Sequence, residues 1–202
     1  KKIGILGLSK TGISSVKFLK KKGFDIFGWD DNKELFSKLK KKNNFNIKNL
    51  NSNNSKYMDL LLVSPGISST GKNKHKILKK INNDKVEIIN DIELFYRFNP
   101  DEKYIGVTGT NGKSTTVSLL NHTLKKLKIK STLGGNIGKP VFDLKRIKKS
   151  FCILDISSFQ LELIKRTKFK VAILLNITKD HLDRHGNFNN YIFEKIKIFN
   201  NQ

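Results

Sequence analysis

Apolar residues along this chain fall into short runs of strand length, and between several runs they recur at helical spacing. Lys2–Gly7 is one such run. Thr11–Lys22 follows it with Ile13, Val16 and Leu19 on one face, so a strand leads into a helix. Phe24–Trp29 predicts a second strand and Asp59–Ser64 a third, whose DLLLVS run suits the covered centre of a parallel sheet. Val86–Ile89 adds a short strand, and the Asn-rich stretch Asn43–Ser55 reads as a loop or a degraded sheet edge. A second series begins after Asn99–Pro100. Tyr104–Thr108 is a strand, Lys113–Leu127 a helix, Phe151–Ile156 a strand, Ser157–Lys165 a helix and Val171–Ile177 a strand. The pattern predicts two doubly wound α/β units joined near Phe98–Lys103.

Length agrees, since 202 residues hold one large domain or two of about 100 residues. The net charge of +23 changes the picture less than its size suggests. Of the 40 basic residues 36 are lysine, scattered along every expected helix, and lysine, asparagine and isoleucine are all spelled by AT-rich codons. A nucleic-acid surface favours arginine and clusters its charge. The four arginines, Arg97, Arg146, Arg166 and Arg184, are too dispersed to nominate an arginine finger for a basic ATPase. The single cysteine, Cys152, excludes a disulfide framework and a CxxC metal site. No apolar run approaches the roughly 20 residues of a membrane span, and the short first run is no signal peptide, so a cytoplasmic address is expected.

Chemistry enters at two glycine turns. The first strand runs into Gly7-Leu8-Ser9-Lys10-Thr11-Gly12, a GxGxxG turn with serine at the middle glycine. Such a turn lets backbone N–H groups meet a diphosphate at a helix N-terminus. Ser9 adds bulk where a pyrophosphate approaches, which points to some nucleotide more than to NAD. The alternative is a plain turn whose glycines serve packing. Asp30, 18 residues beyond Gly12, is placed for a ribose or base contact. Ser64-Pro65-Gly66 ends another strand on the same carboxyl edge, where open α/β sheets bind ligands.

The second turn, Gly109-Thr110-Asn111-Gly112-Lys113-Ser114-Thr115, lies between a strand and a helix. It has the logic of a P-loop: glycine N–H groups cradle phosphates, Lys113 reaches the outer ones and Ser114 ligates Mg²⁺. Val107 stands where the first glycine of the strict pattern belongs. ATP and Mg²⁺ are therefore the expected cofactors. The two turns make the expected fold a Rossmann-like domain over residues 1–98, then the first part of a P-loop α/β ATPase domain over residues 99–202. An oxidoreductase reading of the first turn leaves the second unexplained.

The run Thr108–Thr115 (TGTNGKST) resembles the variant P-loop of the Mur ligase family, the ATP-dependent amide-forming enzymes of peptidoglycan synthesis. Asp91–Phe95 (DIELF), Gly134–Gly138 (GGNIG), Ser157–Glu162 (SSFQLE) and Asn176–His185 (NITKDHLDRH) are similar to further runs of that family, in the same order. SSFQLE narrows the resemblance to the member that adds D-glutamate. The resemblance implies that ATP phosphorylates the alanyl carboxylate of UDP-N-acetylmuramoyl-L-alanine and that the D-glutamate amine attacks the acyl phosphate. It places ATP on Gly109, Thr110, Asn111, Gly112, Lys113, Ser114 and Thr115. The uridine nucleotide falls to Lys10, Thr11, Asp30, Asp31, Ser64, Pro65 and Gly66, with Asn136, Ser157, Gln160 and His181 nearer the muramoyl end. Lys113, Asp155, His181 and Lys195 are the implied catalytic residues, and Ser114, Asp155, His181 and Lys195 the implied metal-bearing ones.

By the same resemblance Lys195 looks like the family's carbamylated lysine, which requires a neutral amine that is desolvated or close to other cations. On its own it reads as one more solvated helical lysine. Only the Tyr191-x-x-x-Lys195 register after DHLDRH singles it out. Two departures stand out: Asp155 where the family usually has glutamate, and Ser9 where it has glycine. His75, His122 and His185 show no metal spacing and read as surface or loop residues. A monomer with no nucleic-acid or membrane partner is expected. Beginning at Lys1 and ending at Gln202, the chain is expected to carry residues for phosphoryl transfer with little ligase turnover, lacking the remaining central domain and a third domain.

Overall fold

The run Lys2–Leu6 forms β1 and passes through the first glycine turn into α1 (Lys10–Lys21). The rest of the first unit is β2 (Asp25–Trp29), α2 (Lys33–Lys41), β3 (Lys48–Asn49), β4 (Leu60–Val63), α3 (Lys76–Lys79) and β5 (Glu87–Ile89). The structure is a computed structural model that describes residues 1–41, 47–51, 53–81, 85–145, 147 and 150–202. Part of the expected loop at Asn43–Ser55 lies outside those residues, as does Arg146. The five strands run parallel in the order β3-β2-β1-β4-β5. That order reverses direction between β1 and β4, the place where doubly wound sheets open a ligand crevice. β4 is buried along its whole length, as its uninterrupted apolar run requires. Leu6, Val16, Leu19, Ile26 and Leu78 fill the core beside it.

The second unit comprises α4 (Asp91–Phe98), β6 (Lys103–Thr108), α5 (Lys113–Lys126), β7 (Ser131–Gly135), β8 (Phe151–Asp155), α6 (Ser158–Leu161), β9 (Val171–Leu174), α7 (Leu182–His185) and α8 (Phe188–Ile196). Its strands are parallel in the order β7-β8-β6-β9. The strand before the P-loop thus lies next to the strand ending in Asp155, with Val107 level with Asp155. Along the chain the first compact unit ends at Asp91 and the second begins at Ile92. Ile92 and Phe95 of α4 are buried in the second core with Tyr104, Cys152, Leu154 and Phe169, so this helix sides with the second unit although residues 1–98 were grouped together from sequence.

Several elements differ from the sequence expectation. β7 is a full strand in a stretch, STLGG, where the sequence pattern marked no element. α2 is a helix that the lysine-rich stretch conceals. The helix expected over Ser157–Lys165 is a single turn, α6: the N–H groups of Leu163 and Ile164 already bond three residues back, and those of Lys165, Arg166 and Thr167 go to the Glu93 carboxylate. No helix among the described residues is long and apolar enough to cross a membrane.

Candidate functional site

In the first unit the turn after β1 is built by close packing. Gly7 has φ +90°, and a Cβ on Gly12 would overlap the Gly7 carbonyl oxygen, so α1 can approach β1 only with glycine there. Across the switch point the buried Ser64 hydroxyl donates to the Gly7 carbonyl at 2.8 Å, tying the two carboxyl-edge loops together. Ile67 N–H returns to the Ser64 carbonyl at 2.9 Å and closes the Ser64-Pro65-Gly66 turn. Ser9 N-caps α1 without a side-chain bond. Lys10 and Thr11 open the first turn of α1, at the end of a helix where the backbone dipole favours an anion. Ser9 and Lys10 are exposed and Thr11 half-buried.

The two aspartates divide the work. Asp30 accepts Leu8 N–H at 2.6 Å on one oxygen and Asn32 N–H at 2.9 Å on the other. It shapes the glycine turn, and each oxygen retains a second lone pair for a ligand hydroxyl. Asp31 accepts the Trp29 indole N–H at 2.8 Å and meets His75 Nε2 at 3.1 Å. The Trp29 bond, with help from His75, holds its carboxyl below the usual aspartate range. His75, which the sequence assigns to the surface, N-caps α3 by accepting Ile77 N–H on Nδ1 at 3.2 Å. Nε2 therefore carries the proton donated to Asp31.

In the second unit the P-loop closes on itself. Gly112 is left-handed at φ +82° and begins α5. Lys113 Nζ donates to the carbonyls of Gly109 at 2.7 Å and Thr110 at 2.9 Å. Ser114 donates to Asp155 Oδ2 at 3.1 Å. Asp155 Oδ1 is buried without a hydrogen-bond partner, and burial raises the carboxyl pKa despite Ser114 and Lys113. An unpartnered buried oxygen beside a P-loop hydroxyl fits Mg²⁺, which takes one or two protein oxygens and keeps most of its waters. No three histidine, cysteine or acidic side chains converge on a point among the described residues, so any such ion would lean on those waters.

Lys195, on α8, is 1% exposed and donates to the same Gly109 carbonyl at 2.8 Å. Burial, and then the Lys113 charge, lower its pKa to about 8. The environment supplies a partly neutral amine near neutral pH, the property the resemblance requires. His181 sits in the left-handed region at φ +51°, about half exposed, with its ring 4.9 Å from Phe159 and 6.4 Å from Tyr191. The structure thus brings Lys113, Ser114, Asp155 and Lys195 together at the loop and leaves His181 at its rim.

Ser157 and Gln160 form a reciprocal capping box at α6, with Ser157 N–H to Gln160 Oε1 at 2.9 Å and Gln160 N–H to Ser157 Oγ at 3.3 Å. Asn136 is exposed, its N–H bonded to the Asp155 carbonyl at 2.8 Å. His185 is 8% exposed, bonded through Nε2 to Ser158 Oγ at 3.0 Å and stacked on Phe159, so it is a core histidine. Asn176 and Thr178 were not singled out as site residues from the sequence. The Asn176 side chain accepts Asn111 N–H at 3.0 Å and donates to the Asn111 carbonyl at 3.1 Å, while Thr178 N–H bonds Thr110 Oγ1 at 3.0 Å.

A Rossmann-order sheet with a glycine turn, followed by a P-loop sheet whose neighbouring strand supplies a buried aspartate, is the plan of a Mur ligase, and the chain belongs to that family. Residues 1–90 match the Mur ligase MurD-like N-terminal domain, and residues 107–202 the Mur ligase middle domain. It is similar to proteins named UDP-N-acetylmuramoylalanine--D-glutamate ligase. Identity is 42% to that of Wolbachia pipientis wMel, covering 98% of this chain and 38% of the relative. It is 41% to that of Rickettsia prowazekii (strain Madrid E), covering 98% and 43%, and 43% to that of Buchnera aphidicola subsp. Schizaphis graminum, covering 99% and 45%. The chain spans less than half the length of these relatives. Among solved structures, a UDP-N-acetylmuramate:L-alanyl-gamma-D-glutamyl-meso-diaminopimelate ligase from Neisseria meningitides shares the fold, with TM-score 0.59 and 16% identity over 99% of this chain and 68% of that one.

Proposed function

We propose that this chain supplies the uridine-nucleotide and ATP-phosphate sites of an ATP-dependent ligase that joins D-glutamate to UDP-N-acetylmuramoyl-L-alanine in the cytoplasm during peptidoglycan synthesis. The observation that carries the reading is the agreement of 41–43% over almost the whole chain with ligases of that name. The turn at Gly7–Gly12, the α1 N-terminus and Ser64–Gly66 receive the uridine diphosphate. The second turn receives the ATP phosphates, where backbone amides and Lys113 neutralise charge as the γ-phosphoryl moves to the alanyl carboxylate.

Ser114 and Asp155 would hold Mg²⁺, which when bound screens the phosphate charge. Asp155 is one methylene shorter than glutamate, and a water between carboxylate and ion restores the reach. Lys195, neutral in part at pH 7 to 8, is the residue suited to take up CO₂ as a carbamate. His181, Asn136, Ser157 and Gln160 would contact the muramoyl end.

Titration calorimetry tests the assignment. UDP-N-acetylmuramoyl-L-alanine and a non-hydrolysable Mg²⁺–ATP analogue should each bind the 202-residue chain, while NADH does not. Saturable NADH binding with no response to either nucleotide would overturn the reading.

A further inference from the structure

The P-loop meets the helix that carries Lys195 at two adjacent points. Gly109 offers its carbonyl to Lys195 Nζ at 2.8 Å, and Thr110 meets the Tyr191 hydroxyl at 3.0 Å. Tyr191 and Lys195 stand one turn apart on α8, so two successive loop residues grip two successive turns of one helix face. The Thr110 hydroxyl is used in full. Its proton goes to the Thr178 carbonyl at 3.3 Å, and its oxygen accepts Thr178 N–H at 3.0 Å, which leaves one lone pair for the Tyr191 O–H. Tyr191 is 1% exposed, and the Lys195 ammonium lies 4.8 Å from its ring centre.

We propose that the Thr110 hydroxyl is a positioning residue that makes the nucleotide loop and the Lys195 helix one mechanical unit, so that a phosphate seated in the loop fixes where Lys195 stands. This rests on the nucleotide reading of the loop given above. The two grips are unequal. The Gly109 carbonyl is shared by two ammonium groups, Lys113 and Lys195, and a phosphate that draws either of them away breaks that grip. The Thr110–Tyr191 bond involves no charged group and no atom that the phosphate needs, so it persists and keeps α8 in register while Lys195 turns to its ligand. Coupling between the sites then travels through named hydrogen bonds that a double-variant cycle can measure.

Hydrogen exchange on the 202-residue chain, with and without a saturating Mg²⁺–ATP analogue, tests this. In the wild type the analogue should slow exchange both in residues 109–116 and in α8. Thr110→Val, which loses all three hydroxyl bonds and so loosens the loop, should bind about fivefold more weakly and at saturation protect the loop without protecting α8. Thr110→Ser should restore both. Tyr191→Phe should reproduce the loss in α8, and the double variant should be no worse than Thr110→Val alone. Full protection of α8 in saturated Thr110→Val, additive losses in the double variant, or a wild type in which the loop is protected and α8 is not would each overturn the proposal. A wild type whose loop shows no protection would overturn the nucleotide reading itself, and the proposal with it.

Discussion

A buried lysine is an expense that a fold carries only for a reason. Lys195 has one carbonyl and an aromatic face for partners, and its pKa falls from 10.5 to about 8 because burial and Lys113 disfavour the charge. The folded state therefore binds its proton less tightly than the unfolded chain does. The resulting destabilisation is complete below pH 8 and fades as pH rises toward 10.5. Lys195→Met, which keeps the volume and removes the charge, is expected to stabilise the second unit at pH 7 by about 1 kcal/mol, or ~3 °C in its thermal midpoint. The gain should shrink to nothing near pH 10.5. Thermal melts at the two pH values check this, and a variant less stable than wild type at pH 7 would contradict it. Asp155 shows the same logic with the opposite charge: burial raises its pKa against the pull of Ser114 and Lys113, and one of its oxygens has no hydrogen-bond partner.

Glu93, fully buried on α4, shows how an element is held by chemistry that periodicity does not reveal. It accepts the N–H groups of Lys165, Arg166 and Thr167, the Thr167 hydroxyl at 2.8 Å and Arg97 Nε at 2.9 Å. Burial alone would raise its pKa, but these donors together hold the carboxyl below its ordinary value. Its stabilisation is present above the unfolded pKa, near 4.5, and lost as pH falls through the lower folded value. Glu93→Gln removes the charge and turns an amide donor toward other donors. It should cost the second unit about 2–4 kcal/mol at pH 7. The deficit should narrow in acid, as pH falls from 4.5 through the lower folded value and the unfolded chain takes up the proton first. Urea midpoints at pH 7 and pH 3.5 measure both effects, and a constant deficit would show that the carboxylate charge is not what anchors the loop.

At the scale of the whole molecule, each unit has its own sheet, its own core and its own glycine turn. Lys113→Ala should therefore abolish binding of the Mg²⁺–ATP analogue while leaving UDP-N-acetylmuramoyl-L-alanine affinity within about twofold. Calorimetry on the one variant reads both, and loss of both ligands from a folded protein would defeat the two-site reading. The charge of +23 belongs to this scale as well. Several lysines settle over aromatic rings, Lys76 on Trp29 and Lys103 on Phe151 among them, which is how long basic side chains cover apolar surface.

What the amino-acid order alone determined is what local chemistry encodes. The period of two or 3.6 marks most strands and the long helices, and a glycine turn marks the strand-to-helix junction of each unit. Both signals arise within about a dozen consecutive residues. β7 escaped because its STLGG run carries the composition of a turn, and α2 because lysine fills its polar face. Tertiary structure alone decided the rest. Lys195 is one of 36 lysines until the fold sets it against Gly109, 86 residues away. His185 looks like a loop residue until Ser158, 27 residues back, takes its ring nitrogen. Glu93 reaches Thr167 across 74 residues, and Thr110 reaches Tyr191 across 81. Burial and partnership are properties of the neighbours that folding brings, and those neighbours leave no periodic trace in the residue they surround.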